Sequence, residues 1–456
     1  MVRISLRLLV LGTAWSIVAF VTGQAIRVGQ SVVLARLLTP DIFGISLIVG
    51  SLITGIQLMS DLGIAKGVVY SKEAEDPDFY NTAWTLQAMR SIVLWMIALA
   101  IAFPAAYFYG ISILTFIIPI TSLSFVIEGF SSISKALMEK RLQFAKQNIF
   151  KTANAFISAL ASVALAYFTP TIWAPVLGGL IGSAASMIGS YFLLSDVKVK
   201  FRVSQKYATQ ITQFGKWIFI SSFVWFLSAN YDRLYLATAI PIGMLGVYGI
   251  ARNISELISS FFVSFGNSVV FPFIASHSEL PRTDLRNQLA GVRAKFLLPA
   301  MVGLSLFVVT ADFAVQLIYD QRYHAASWML PVLAIGSWFS LLANINDGTL
   351  LGLGKPHYSA VSNLAKFFVL LIGLPLGISK YGFVAAIAVV VLAEIFRNIP
   401  LMIGLRREGF SFRRQDVLMT LAVAAMIALL NWLRWAFGFG TCFDTIPIDW
   451  TLLHVR

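Results

Sequence analysis

The sequence predicts an all-α polytopic membrane protein, with two pseudo-symmetric six-helix lobes plus about one additional C-terminal helix. Three observations predict it. First, mean hydropathy is +0.81, with 58% hydrophobic and 12% charged residues. That is too little charge to clothe the core of a soluble chain. Second, apolar runs recur from end to end, many longer than the ~20 residues that cross a bilayer. They are too long and too uniformly apolar for barrel strands, and a helical bundle satisfies its own backbone in lipid. Third, a helix–turn–helix pattern occurs once per half, at Val33–Gly44 and Asn230–Arg252. Setting Gly44 on Gly246 gives an offset of 202 residues and also aligns Leu34 with Leu236 and Ala35 with Ala237. Pro40 and Gly44, then Pro241 and Gly246, mark the repeated turn.

Taken in order, span 1 covers about 8–34, and Thr39–Pro40–Asp41 closes it, with Asp41 as a candidate cap for span 2, about 42–60. Asp61–Leu62–Gly63 is a stop. Spans 3 and 4 cover about 82–108 and 111–131, separated by Tyr109–Gly110. The basic stretch from Lys135 to Lys151 reads as an amphipathic segment at a headgroup surface. Spans 5 and 6 cover about 152–168 and 172–194, and spans 7 and 8 about 214–239 and 245–274, with Pro272 ending or kinking the last. A polar loop with Arg282 and Arg286 precedes span 9, about 292–313; spans 10, 11 and 12 cover about 326–350, 360–378 and 382–403. A last run, about 417–437, is a thirteenth span. The expected domains are an N-terminal lobe 1–198, a cytoplasmic linker 199–213, a C-terminal lobe 214–405, and an extra helix and tail 406–456.

Basic residues fix an expected orientation. With the N-terminus inside, the connections 2–3, 4–5, 6–7, 8–9, 10–11 and 12–13 hold nearly all loop Lys and Arg, whereas 3–4, 5–6 and 7–8 hold none. This is the positive-inside pattern. It accounts for most of the net charge of +13 without nucleic acid. The start of the chain reads as a retained first helix, not a cleaved signal. Trp84, Trp173 and Trp328 read as interface anchors.

Charges inside spans are costly and face the bundle interior or water. Arg27 lies deep in span 1 and shares a face with Gln24 and Ser31. It satisfies carbonyls of a neighbouring helix, lies near a lipid headgroup, or faces a hydrated cavity and attracts an anion. Asp232 and Arg233 precede the second repeat turn, and Arg252 and Glu256 stand at i,i+4, where an internal ion pair competes with a substrate role. Asn344, Asn346 and Asp347 make span 10 polar, and Asp347 is a candidate carboxylate for a proton or cation. Glu394, Arg397 and Asn398 share one face of span 12, where a local ion pair near the inner end of the helix competes with a functional role. Lys366 and Glu128 read as residues reaching towards the inner surface. Headgroup candidates are therefore Arg27, Arg233, Arg252 and Arg397, because guanidinium groups grip phosphate in two places. Coupling candidates are Asp347 and Glu394.

No catalytic constellation is evident. The four His do not cluster, and one cysteine, Cys442, excludes an internal disulfide and a cysteine metal site. A phosphate-binding loop is missing as well. No cofactor is expected, and a H+ or Na+ gradient is the candidate energy source.

The run Ala35-Arg-Leu-Leu-Thr-Pro-Asp-Ile-Phe-Gly44, then Asp61-Leu-Gly-Ile64, then Asp232-Arg233 and Leu245-Gly-Val-Tyr-Gly-Ile-Ala251, resembles the polysaccharide-transporter family of lipid-linked oligosaccharide flippases, related to the multidrug and lipid II flippase superfamily. The resemblance implies a bacterial inner-membrane protein with two lobes around a central cavity. It implies movement of undecaprenyl-diphosphate-linked glycan from the cytoplasmic to the outer leaflet for O-antigen, capsule or exopolysaccharide. Membrane lipids, glycosyltransferases and a polysaccharide polymerase would be its partners. Many relatives have fourteen helices where thirteen are read here. Two rivals stand beside this reading: a cation-coupled multidrug exporter, expected to favour carboxylates over arginines, and a non-transporting scaffold of an envelope assembly complex.

Overall fold

The computed structural model describes residues 6–58, 64–265, 270, 274 and 281–447. The stop at Asp61–Gly63, the break at Pro272 and the tail beyond 447 lie outside these residues. The chain forms two compact units, Met1–Phe226 and Leu227–Arg456.

The first unit contains α1 (Leu6–Leu37), α2 (Pro40–Leu58), α3 (Ile64–Tyr70), α4 (Pro77–Tyr109), α5 (Leu114–Gly129), α6 (Ser134–Lys140), α7 (Phe144–Phe168) and α8 (Trp173–Ser190). Helix α9 (Gln205–Ala239) runs across the unit boundary. The second unit continues with α10 (Ile242–Phe265), α11 (Arg282–Ile318), α12 (Ala326–Gly352), α13 (His357–Arg407) and α14 (Arg413–Ala436). Among the described residues eight helices are long and apolar enough to cross a membrane, or nine with the α5–α6 pair, bent by 57°, taken as one span. Helix α13 has 51 residues, enough for two crossings, and breaks at Gly382 (φ 71°, ψ −167°), a conformation that only glycine adopts cheaply.

Local chemistry sets the boundaries. Asp76 caps α4 by accepting the Asp78 N–H at 2.8 Å, and Pro77 occupies the first turn, where its missing N–H costs nothing. Gly110, at φ 66°, closes the same helix as a left-handed C-cap. Asp41 is not a cap. It falls inside α2, in the first turn, where its charge suits the helix dipole. The repeated turn occurs twice: α2 begins at Pro40 directly after α1, and α10 begins after Pro241, whose carbonyl accepts the Leu245 N–H at 3.0 Å.

Small residues let helices meet closely, as they must where lipid offers no hydrophobic drive for association. In the α7–α8 contact a Cβ on Gly178 would lie 2.1 Å from Ser162 Oγ and 2.5 Å from its Cα, and one on Gly182 would lie 2.6 Å from Ser158 Cβ.

Several expectations change. The stretch read as a polar loop at Arg282 and Arg286 is the start of α11: Leu285 and Leu289 are buried while Arg286, Asn287 and Gln288 are exposed. An amphipathic extension beyond the apolar run reads as loop when only hydropathy is followed. For the same reason, the stretch 199–213 read as linker is helical from Gln205. Trp84 and Trp328 are not interface anchors. Both are 5% exposed, Trp84 against Phe201 at 4.7 Å between ring centroids and Trp328 against Phe383 at 5.9 Å. The connection 191–204 straps across α4, where Asn81, Thr82 and Thr85 accept the backbone N–H groups of Lys200, Ser204 and Arg202. Beside it, Arg141 binds Glu75 and Asp196, and these hydrogen bonds hold both carboxyls below their usual range.

Helices α11 and α14 are riveted at both ends. Near their N-termini, Arg293 binds Asp416 at 2.5 Å and Asn346 at 2.8 Å, with its guanidinium 4.4 Å from the Phe412 ring centroid. Near their C-termini, Arg434 binds Asp312 through two nitrogens, at 2.8 and 2.6 Å. The partners are 19 residues apart on α11 and 18 apart on α14, so the helices run parallel. At 1.5 Å per residue the clamps stand about 28 Å apart, close to one hydrocarbon thickness.

Candidate functional site

The second unit gathers buried charge from four helices. On α9, Asp232 is 1% exposed and accepts a hydrogen bond from the Tyr248 hydroxyl. Arg252 of α10 stands 3.2 Å from Asp232 and 3.3 Å from Glu256, one turn along its own helix. Arg233 binds the other Glu256 oxygen at 2.5 Å. A second group lies on α13. Lys366 binds Glu394 at 2.6 Å, and Arg397 stands 3.5 Å from the other Glu394 oxygen and 3.2 Å from Asn344 of α12. Arg252 and Glu394 line one small cavity, with Ser255, Ser337 and Ser340, which joins the two groups.

Backbone geometry explains the gathering. The sequence places Asp232 and Arg233 on adjacent positions, about 100° apart around α9, so each turns to a different partner. Arg252 and Glu256 share a face by their i,i+4 spacing. The break at Gly382 returns the chain, so Lys366 before it meets Glu394 after it. Ser362, on the same stretch, donates to the Arg397 carbonyl at 2.8 Å.

Of the six charged candidates, the structure brings together Arg233, Arg252, Arg397 and Glu394. Asp347 lies beside them. Its Oδ2 accepts from Ser359 at 3.1 Å, and its buried Oδ1 meets no hydrogen-bond donor among the described residues. Arg27 is in the first unit, exposed, with no ion pair among the described residues. Pro40 and Pro241 stand at the two repeat turns, and Gly44 and Gly246 are buried one turn later. Lys366 does not reach for the surface as expected. It is 6% exposed, because Glu394 offers a partner that no single-span reading supplies.

Among the described residues the cluster contains four cations, Arg233, Arg252, Lys366 and Arg397, and three carboxylates, Asp232, Glu256 and Glu394, with Asp347 at its margin. Pairing therefore leaves cationic donors to spare. Arg233 Nε and Arg397 Nε are buried and donate to no acceptor among the described residues. Glu256 and Arg233 form the more open end, with side chains 39% and 14% exposed.

The first unit contains a polar cavity of about 350 Å³ at the α5–α6 bend. Arg90, Glu128, Lys135 and Glu139 line it together with Gln57, Gln87 and Gln147. Lys135 bonds Ser186 at 2.7 Å, turned inward and not towards a headgroup surface, and Glu128 accepts from Ser183 at 3.2 Å. Sequence reasoning passed over Arg90, Glu139, Arg293, Asp312, Asp416 and Arg434. A charge-spacing match was available for four of them: Arg then Asp on α11, Asp then Arg on α14, at nearly the same interval.

Comparison with known proteins supplies the remaining observations. A family model described as "Polysaccharide biosynthesis protein" matches residues 33–328. The chain is 24% identical over 392 residues to the lipopolysaccharide biosynthesis protein WzxC of Escherichia coli K12, covering 85% of this chain and 79% of that one. It is 19% identical over 323 residues to the succinoglycan biosynthesis transport protein ExoT of Rhizobium meliloti, covering 70% and 64%. Among solved structures it resembles lipid II flippase MurJ in an inward closed conformation, with TM-score 0.73, 15% identity and coverage of 93% and 92%. It also resembles a multidrug resistance MATE family transporter in an inward-facing conformation, with TM-score 0.62, 12% identity and coverage of 87% and 94%. These likenesses establish the fold, and the family match, spanning more than half of the residues, establishes the kinship: the chain belongs to the polysaccharide biosynthesis protein family.

Proposed function

We propose that the protein moves undecaprenyl-diphosphate-linked oligosaccharide units from the cytoplasmic to the outer leaflet of a bacterial inner membrane, for surface polysaccharide synthesis. The observation that carries this reading is the surplus of guanidinium donors buried among apolar helices. A diphosphate is a multivalent acceptor that can compete for Arg233 and Arg397 with the carboxylates paired to them. The names of WzxC and ExoT, a lipopolysaccharide biosynthesis protein and a succinoglycan transport protein, support the substrate class. The N-terminus lies in the cytoplasm, thirteen spans divide into lobes 1–198 and 214–405 with an added helix, and glycosyltransferases and a polymerase act before and after.

The mechanism is exchange of partners. Carboxylates occupy the arginines in the resting cluster, so an entering diphosphate must displace Glu256 from Arg233 before it is held, and Glu256 returns as it leaves. A site neutralised in this way binds without trapping. Alternating access then carries the headgroup across while the prenyl chain stays in lipid. Arg27, exposed and without an ion pair among the described residues, offers an early contact. Asp347 adjusts the charge of the cluster by one when it gains or loses a proton, which supplies a route for a H+ gradient. A multidrug exporter would need an anionic site for its cations, and four cations against three or four carboxylates argue against it.

Complementation of polymer export tests the reading. Arg27→Ala and Arg233→Gln, at wild-type protein level, are expected to lower surface polymer strongly. Wild-type export by both variants together would overturn the charged-site model and favour the scaffold. Arg252 is a poor choice for this test, because its removal strands the buried Asp232.

A further inference from the structure

A second cationic site lies in the second unit, away from the buried cluster. A cavity of about 710 Å³ opens between the first turns of α11, the C-terminal end of α13 and the start of α14. Four arginines line it: Arg286, Arg406, Arg413 and Arg414. All four are exposed, and none forms an ion pair or side-chain hydrogen bond among the described residues. The nearby carboxylates are already taken. Glu408 is held by Arg282 at 3.1 Å and by Lys355 at 3.3 Å. Asp416 is held by Arg293 at 2.5 Å. Of the acidic side chains on these three helix ends, only Asp284, exposed in the first turn of α11, is left over. Among the described residues positive charge therefore predominates here, four unpaired arginines against Asp284, at one end of helices that otherwise run through lipid.

The cavity is not polar throughout. Leu418 and Met419 line its α14 side, and Val417, Leu418 and Leu421 continue as an exposed apolar strip, 47%, 65% and 61% accessible. A ligand that fits both features carries an anionic phosphoryl head and an apolar tail. Helix α14 also begins without a side-chain cap, so its positive end faces the same region.

We infer that this arginine-lined cavity binds the phosphodiester headgroup of an anionic membrane phospholipid, with one acyl chain along the Val417–Leu421 face of α14. The prenyl diphosphate of a transported substrate shares the phosphoryl chemistry. The bilayer lipid is favoured because four separated, exposed guanidinium groups suit a headgroup at the interface, and the apolar strip begins directly beside them. The inference requires only that the chain spans a membrane, so it stands or falls separately from the translocation reading.

The test is native mass spectrometry of the full chain released from detergent, with phosphatidylglycerol and phosphatidylcholine offered in equal amounts, then with inorganic pyrophosphate and a prenyl diphosphate as competitors. Phosphatidylglycerol is expected to be retained in preference to phosphatidylcholine. Arg413→Gln with Arg414→Gln is expected to weaken retention about thirtyfold, roughly fivefold for each arginine within reach of an anionic headgroup. Arg286→Gln with Arg406→Gln should do the same, which guards against one pair failing to fold. Lys198→Gln with Lys200→Gln, removing the same charge from the first unit, should leave retention unchanged. Equal retention by all variants would overturn the inference, as would equal loss in the lysine control. Tighter binding of prenyl diphosphate than of phosphatidylglycerol, lost in the arginine variants, would reassign the cavity to substrate.

Discussion

Removing either partner of the Lys366–Glu394 pair should destabilise the second unit, and by unequal amounts. The two atoms are 2.6 Å apart, and each side chain is 8% exposed. Breaking a buried pair by losing one partner costs about 3–5 kcal/mol, because the other charge is left uncompensated. The surroundings decide where each variant falls. After Lys366→Met, Glu394 still has Arg397 at 3.5 Å and Arg252 across the shared cavity, so the cost belongs at the lower end, about 3 kcal/mol. After Glu394→Gln, Lys366 is left beside Arg252 and Arg397 with no carboxylate paired to it among the described residues, and the cost belongs at about 5 kcal/mol. The double variant Lys366→Met with Glu394→Gln should recover roughly 2 kcal/mol relative to Glu394→Gln alone, since only Arg397 then lacks its carboxylate. Unfolding by titrated denaturing detergent in mixed micelles, at fixed lipid content, measures the series. Equal costs for the two single variants, or a double variant no better than Glu394→Gln, would refute the view that excess positive charge governs this cluster.

Three further outcomes follow from the same geometry. Arg434→Asp should destabilise the α11–α14 pair by about 3–5 kcal/mol, and adding Asp312→Arg should recover much of it by reversing the clamp; detergent unfolding of the single and double variants checks this. Gly178→Val should separate α7 from α8, at a cost of about 1–3 kcal/mol, since the backbone of Ser162 blocks any side chain there; a thermal scan beside the control Gly179→Ala, whose added methyl meets no heavy atom within 4 Å, measures it. The strap at 191–204 should keep its hydrogen-exchange protection from pH 7 to 5 and lose it as the pH falls below about 4. The sign follows from the lowered carboxyls of Glu75 and Asp196: their contribution is fully present above their unfolded values and disappears as pH drops through the folded ones. Arg141→Gln should remove that pH dependence.

Much of this architecture was legible because a bilayer imposes a simple rule on sequence. Length and apolarity located the long helices, and Pro40 and Pro241 marked the starts of α2 and α10. What escaped were features that hydropathy cannot carry. The first turns of α11 are amphipathic, with Leu285 and Leu289 inward, and so read as loop. Trp84 lies at the expected start of span 3 and so looked like an interface residue, but α4 begins about two turns earlier, at Pro77, and Phe201 covers the ring. In the site, Arg252 with Glu256 and Glu394 with Arg397 were readable from i,i+4 and i,i+3 spacing. Arg233 with Glu256, Lys366 with Glu394, and Arg293 with Asp416 were not, because each joins separate helices and needs the register between them. One consequence bears on the proposed function: Arg233, Arg252 and Arg397 are paired with carboxylates, so under that proposal an anion would have to compete with Glu256 and Glu394.

The measurement that tests the central claim most directly is leaflet accessibility in reconstituted vesicles. Purified protein is incorporated with a defined prenyl-diphosphate oligosaccharide, and a membrane-impermeant reagent reports the headgroups on one side. The account predicts protein-dependent movement between leaflets, slowed by Arg27→Ala and by Arg233→Gln while both variants keep wild-type thermal stability. Movement at the wild-type rate in both variants, or none from the wild type under any imposed H+ or Na+ gradient, would contradict it.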